Sequence, residues 1–307
     1  MDSRYAPIVV FGYKRKDKLK SLLADLERNP DVEKMRLYIC IDVPVETDAQ
    51  GLIISEDVIA FAKDYVSNSK FMEVTLDVAQ THRGLANSII TSVSRIINEF
   101  GRIIVFEDDL RTSNDVLAYF NEALDFYEND KRIFSISGHG KEFAAVDTIE
   151  DDVYLLGMAN SWGWASWADR WNEIDWEVQN YQDFKNNRKQ KKAFNNRAWF
   201  LSESLKRQME EDDYDSWAIR WNFHSFLRDS YTVYPKRGYI KTLGRDEVDT
   251  HRSINEDIQL VDDKKIRFVD LNINHKITKS FYKSTQPSLY RRIKSLIWRT
   301  FFEEKKH

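Results

Sequence analysis

Short apolar runs separated by amphipathic stretches constrain this chain most. Residues 6–11, 36–41, 71–76 and 102–106 read as strands. Between them, 17–26 places Leu19, Leu22, Leu23 and Leu26 on one helical face. Residues 55–66 read as a helix capped by Ser55 with acids in its first turn, and 84–100 as another. Strands alternating with helices predict an α/β fold, a mostly parallel sheet flanked by helices. Such sheets bind ligands at the carboxyl ends of their strands. Gly12 to Arg15, Asp42 and Glu107-Asp108-Asp109 all fall at such ends.

The acidic triplet is the sharpest chemical signal. A buried strand, 102–106, runs directly into Glu107, Asp108 and Asp109. Unpaired charges this close together repel and resist burial. A divalent cation relieves that repulsion, and Mg²⁺ or Mn²⁺ is often held between one or two carboxylates and a substrate's phosphates. The plainer reading is a solvated strand end feeding a helix N-terminus, where acids are favoured.

Further along, 114–129 reads as a helix and 132–138 as a strand. From about residue 153 aromatic residues crowd in, with Trp162, Trp164, Trp167, Trp171 and Trp176 close together. A polar helical stretch covers 180–207, and 213–228 carries Trp217, Trp221, Phe223 and Phe226. Trp164, Trp167 and Trp171 are at helical spacing and suit a core. An exposed Trp also suits stacking on a sugar ring, and Trp162 or Trp164 is the candidate, with Gly163 allowing close approach. The expected organisation is 1–135 as an α/β half, 136–278 as an aromatic-rich half, and 279–307 as a basic helix.

In that last segment eight Lys or Arg stand against two Glu, and Leu289, Ile293, Leu296, Ile297 and Phe301 share a face. The pattern fits a helix on an anionic membrane surface and equally one docked on the protein with a solvated basic face. The 307 residues are 42% hydrophobic and 31% charged with a net charge of -4, which fits a globular protein and gives no reason to expect nucleic acid as partner. Cys40, the single cysteine, lies in an apolar run and reads as a core residue. Charges interrupt the N-terminus early, so no signal peptide is read there and the cytosol is the default compartment.

Residues 103–110, Ile-Ile-Val-Phe-Glu-Asp-Asp-Leu, resemble the metal-binding DxD-type strand of GT-A glycosyltransferases. With the aromatic helix that follows, they resemble glycosyltransferase family 13, the N-acetylglucosaminyltransferases. Residues 213–220, Asp-Tyr-Asp-Ser-Trp-Ala-Ile-Arg, are similar to that family's acidic segment before a Trp and an Arg, which carries the catalytic base. Residues 244–251 resemble a loop with Gly, Arg and a later His that closes over the donor. Ser161 to Trp167 resembles a motif of bacterial polysaccharide and lipopolysaccharide transferases of the family 2 type.

The resemblance implies a Rossmann-like GT-A fold over about residues 5–255, and a metal-dependent, inverting transfer of a sugar, N-acetylglucosamine or another hexose. It implies nucleotide-sugar binding for 1–135, and acceptor binding with the catalytic base for 136–278. The donor is a UDP-sugar, and the acceptor a glycan or lipid-linked glycan in bacterial surface polysaccharide synthesis. If the C-terminal helix binds membrane, the enzyme sits peripherally on the inner face of the cytoplasmic membrane. Asp109 is the implied ligand of Mn²⁺ or Mg²⁺. Asp108 is implied at the ribose or a metal-bound water, and Glu107 at the donor sugar. Asp215 is the first choice of base. It is followed by Ser where the family has a second Asp, so Asp213 also stands. His139 and His224 lack a comparable context.

Tyr13, Arg15, Asp42 and Arg83 are candidates for the donor's base, ribose or phosphate, and Arg245 and His251 for closing over the diphosphate. Trp162, Gly163 and Trp164 are candidates for the acceptor. Two rivals differ in class. A nucleotidyltransferase needs a Gly-rich loop after the first strand, where this chain has Gly12-Tyr13-Lys14-Arg15. A non-catalytic glycan-binding protein has no use for the triplet.

Overall fold

The computed structural model describes residues 5–212, 214–243 and 266–286. The chain begins with β1 (Ile8–Gly12), α1 (Lys16–Leu26), β2 (Arg36–Ile41), α2 (Ala49–Asn68), β3 (Glu73–Val78), α3 (Leu85–Phe100) and β4 (Arg102–Glu107). It continues through β5 (Leu110–Thr112), α4 (Val116–Tyr127), β6 (Ile133–Ser137), β7 (Val153–Leu156), β8 (Trp164–Trp167) and the short α5 (Ala168–Trp171). Next come α6 (Tyr181–Asn186), α7 (Arg188–Asn195), α8 (Leu201–Glu210), α9 (Trp217–Leu227), β9 (Tyr231–Pro235), β10 (Ile240–Thr242) and α10 (His275–Thr285).

The α/β expectation holds. An eight-stranded sheet runs in the order β3-β2-β1-β4-β8-β6-β9-β7. β3, β2, β1 and β4 are parallel, β8 is antiparallel to β4 and β6, β6 and β9 are parallel, and β7 is antiparallel to β9. The expected boundary at 135/136 falls inside β6, so both halves share this sheet. β5 and β10 form a separate antiparallel ribbon.

Two apolar layers cover the sheet because inward residues alternate along each strand. Ile8 and Val10 face one layer with Leu19, Leu22, Leu23 and Leu26 of α1, while Val9 and Phe11 face the other with Ile89, Val93 and Ile96 of α3. The same alternation divides the tryptophans. Trp164 and Trp167 are strand residues rather than part of a helix, and they enter opposite layers. Trp164 packs on Trp171, Trp221 and Trp217 with ring centroids 5.4, 4.7 and 5.5 Å away. Such pairs add about 0.5–1.5 kcal/mol each beyond area burial.

α2 begins two turns before the expected start. Asp48 caps it by accepting from Gly51 N at 2.8 Å, and Ser55 is buried within it. The polar stretch at 180–207 is three short helices rather than one. α10 covers the beginning of the expected C-terminal helix and docks through Ile277 and Phe281. The apolar stripe from Leu289 to Phe301 lies outside the described residues. Among the described residues no helix is long and apolar enough to cross a membrane. Cys40 is a core residue as expected, and burial pushes its thiol up to about 12.

Candidate active site

The carboxyl ends of β1, β2, β4 and β6 meet along one edge of the sheet, and most of the candidate residues gather there. β4 ends at Glu107, and Asp108-Asp109 make the turn into β5. That turn is held on both sides. Leu243 N donates to Asp109 O at 2.8 Å, continuing the β5–β10 ribbon. On the other side the buried Asp25 carboxylate of α1 accepts from Arg111 Nε at 2.5 Å and from Thr112 N at 3.1 Å.

Within the triplet the environments differ. Asp108 is 2% exposed, and Glu107 and Asp109 are partly exposed. Burial first, then Asp109 and Asp108, pushes the Glu107 carboxyl up to about 8. Burial also raises the Asp108 carboxyl, while Arg15 opposes it. The Arg15 guanidinium bridges the last two acids, bonding Asp108 and donating from Nη1 to Asp109 Oδ2 at 2.9 Å. Asp108 Oδ2 is buried without a hydrogen-bond partner. With Glu107 largely protonated at neutral pH, two aspartates still face one guanidinium, so the pocket retains unmet negative charge. Among the described residues no three His, Cys, Asp or Glu groups converge into a complete metal cage.

The other donor candidates sit around this point. Tyr13 lies beside His82, with centroids 6.2 Å apart, and Lys14 Nζ stands 4.9 Å over the Tyr13 ring. Asp42 already accepts from Arg83 N and Gly84 N, both at 2.9 Å, so it clamps the loop that enters α3. The exposed Arg83 side chain is carried on that clamped loop.

The second group is mixed. Asp215 is exposed and accepts from Arg220 Nη2 at 3.0 Å across the first turn of α9. Ser216, not Asp215, caps that helix, accepting from Ile219 N. Trp217 and Trp221 of α9 pack on Trp164, whose strand starts at the same edge as the triplet. His224 is half-buried against Phe134. Asp213, Arg245 and His251 lie outside the described residues.

One acceptor candidate, Trp164, is corrected, and a second, Gly163, is engaged in packing. Trp164 is 1% exposed within the aromatic layer, because β8 is an interior strand and this residue points into the helices. Gly163 has φ +66°, and a Cβ there would meet Ile240 Cδ1 at 2.1 Å. Its bare backbone therefore accommodates Ile240 of β10. Trp162 does face outward, at 41% exposure. The sequence reading missed its companions, Lys141 Nζ at 5.0 Å from the ring centroid and His139 at 5.0 Å ring to ring. Their signal was Gly138-His139-Gly140-Lys141 directly after a strand, at the edge where ligands bind.

Fold, acidic turn and sequence agree on one class. The model of the GNT-I family matches residues 2–204, and the chain belongs to that family of glycosyltransferases. No curated protein matches it. Among solved structures, TarS 1-349 of S. aureus in complex with UDP-GlcNAc is 9% identical with TM-score 0.45, over 79% of this chain and 59% of that one. The mannosyltransferase PcManGT of Pyrobaculum calidifontis, in complex with GDP-Man and Mn²⁺, is 12% identical with TM-score 0.36, over 55% of this chain and 46% of that one.

Proposed function

We propose that this enzyme transfers a hexose from a nucleoside-diphosphate sugar, UDP-linked by family resemblance, to a glycan hydroxyl with inversion at the anomeric carbon. The observation that carries the reading is the turn Asp108-Asp109 at the end of β4, faced by Arg15 from the end of β1. Family membership supports it, and the Ser161 to Trp167 motif supports an acceptor in bacterial surface polysaccharide, free or lipid-linked.

The donor set suits Mn²⁺ or Mg²⁺. Asp109 has an accessible carboxylate, Asp108 an unpartnered buried oxygen, and the pocket excess negative charge. These hard cations need few protein ligands when diphosphate oxygens and water fill the shell. When bound, such a cation would offset the charge that develops on the leaving diphosphate.

The remaining roles belong to the chain. Arg15, Arg83, Arg245 and His251 supply donors to the diphosphate, and Tyr13 a face for the base. Asp42 holds the loop that carries Arg83. Glu107 and Asp108 hydrogen-bond the donor's sugar and ribose. Trp162 offers its face to the acceptor. Asp215, or Asp213 two residues before it, takes the acceptor's proton as its oxygen attacks the anomeric carbon from the side opposite the diphosphate. The bond to the diphosphate breaks, and the proton rests on the carboxylate. The enzyme would work in the cytoplasm, reaching lipid-linked acceptors at the inner face of the membrane.

A thermal-shift panel of UDP, GDP, CDP and dTDP, each with Mn²⁺ and with chelator, tests this. A ligand that binds the folded state alone raises apparent stability. One nucleotide should stabilise the protein in a metal-dependent way, and Asp109→Ala should abolish the shift. Sugar binding unaffected by metal and by Asp109→Ala would instead favour a glycan-binding protein.

A further inference from the structure

Beyond β6 the chain doubles back along the ligand edge. Gly138 N donates to Gly163 O at 3.0 Å, and Tyr239 N to Gly138 O at 2.8 Å. A Cβ on Gly140 would lie 2.7 Å from Gly238 N, so paired glycines let the two loops touch. The Gly138–Gly163 bond ties the segment bearing His139 and Lys141 to the one bearing Trp162. The imidazole meets the indole edge-on at 62°, and the Lys141 ammonium lies 5.0 Å from the ring centroid.

Two other half-buried cations at this edge, Lys14 and Arg15, have carboxylate partners, and Lys141 differs from them. Lys14 pairs with Asp48 and Arg15 with Asp108 and Asp109. Among the described residues no carboxylate pairs with Lys141, and its ammonium lies over the Trp162 ring. Burial pushes its ammonium down to about 8. Burial and then Lys141 push the His139 imidazole down to about 4, so it is neutral at pH 7. A desolvated cation without a counter-charge is unfavourable, and an incoming anion would restore the balance. Two hydrogen-bonding atoms nearby are also unmet, His139 Nδ1 and the Nδ2 of Asn160, a residue 6% exposed that accepts from Trp162 N.

The site thus combines a partly exposed Trp162, a cation with no carboxylate partner among the described residues, and two buried polar atoms without partners. It adjoins the triplet, because a Cβ on Gly163 would lie 3.4 Å from Phe106, the residue before Glu107. The triplet is negative and Lys141 positive, so an acceptor carrying an anion would point that group away from the acids.

We propose that Lys141, with Trp162 and His139, forms an acceptor subsite for a sugar bearing a phosphate or a carboxylate. The inference rests on the reading of Trp162 as the acceptor face. The sugar ring would lie on the indole while the anionic group meets the ammonium.

Ligand-observed NMR on the full chain tests it. The protein is saturated with Mg²⁺ and the nucleoside diphosphate that the thermal panel selects, so that the donor site is filled. The probes are methyl β-D-glucuronide, glucose 6-phosphate and neutral methyl β-D-glucoside. At least one anionic sugar should bind about tenfold tighter than the neutral one. Which of the two does so separates carboxylate from phosphate. Lys141→Met should abolish that preference, and Trp162→Ala should weaken charged and neutral sugars alike. Circular dichroism verifies that both variants fold. Equal binding of all three sugars, no binding of any, or a preference that survives Lys141→Met overturns the proposal. If Trp162→Ala leaves sugar binding unchanged, the acceptor reading itself fails. If only Lys141→Met is silent, the charge inference alone fails.

Discussion

Arg15 donates to Asp109 across 2.9 Å and holds Asp108 at the same time, so one guanidinium at the end of β1 neutralises part of the acidic turn at the end of β4. Removing one partner of such a pair leaves the other uncompensated. Arg15→Met should lower unfolding free energy by about 1–3 kcal/mol in the metal-free protein. Mn²⁺ should restore more stability to the variant than it adds to the parent, since the cation no longer competes with a guanidinium. Urea melts with Mn²⁺ and with chelator check this, and an equal metal effect in both proteins would count against it.

Asp215→Asn keeps an oxygen to accept from Arg220 but removes the basic charge. The pair is surface-exposed, so stability should change by no more than about 1 kcal/mol. Turnover should fall roughly 10²- to 10⁴-fold, with donor KM little altered. Steady-state assays of Asp215→Asn beside Asp213→Asn decide which acid is the base, because the wrong one retains near-parental kcat.

Gly163→Ala should destabilise by about 1–3 kcal/mol, from overpacking and a left-handed backbone. The added methyl would press on Ile240 Cδ1 at 2.1 Å. Ile240→Val deletes that atom, so the double variant should recover part of the loss. A double-mutant cycle in urea reads the coupling, and strict additivity would contradict the packing account.

His139 sets a pH term. Its folded value, about 4, is below the 6.5 of an ordinary imidazole, through burial and Lys141. Between those values the unfolded chain binds a proton that the folded one refuses, so stability falls as pH drops through that window. Allowing for its partial exposure, the loss is on the order of 1–3 kcal/mol. His139→Gln should lose this contribution. Unfolding free energies at pH 7 and pH 4.5 would then show a smaller acid loss in the variant, and identical losses would refute it.

The parallel half of the fold was legible because its signals are periodic and local. Leu19, Leu22, Leu23 and Leu26 mark their helix by spacing, and the residues 102–106 mark a buried strand by composition. β5 and β10 have three residues each, too few for a pattern, and their pairing joins distant segments. Trp164 misled because its three-residue spacing from Trp167 fits a helix face, whereas an interior strand buries both residues on opposite sides. Lys141 was invisible as a site residue because its neighbourhood depends on three separated loops and the Gly140–Gly238 contact.

The ribbon that pins the acidic turn also bears on how the protein is made. Asp109 receives its main-chain partner from Leu243, 134 residues later in the chain by their numbering. At typical synthesis rates of 5–20 residues per second, roughly 10 s separate the two emerging from the ribosome. For that interval β1 to β4 can pair while the turn at their edge is still unpinned. Catalytic competence would therefore arrive late in translation, and a fragment ending before β10 would carry the acids without their full support.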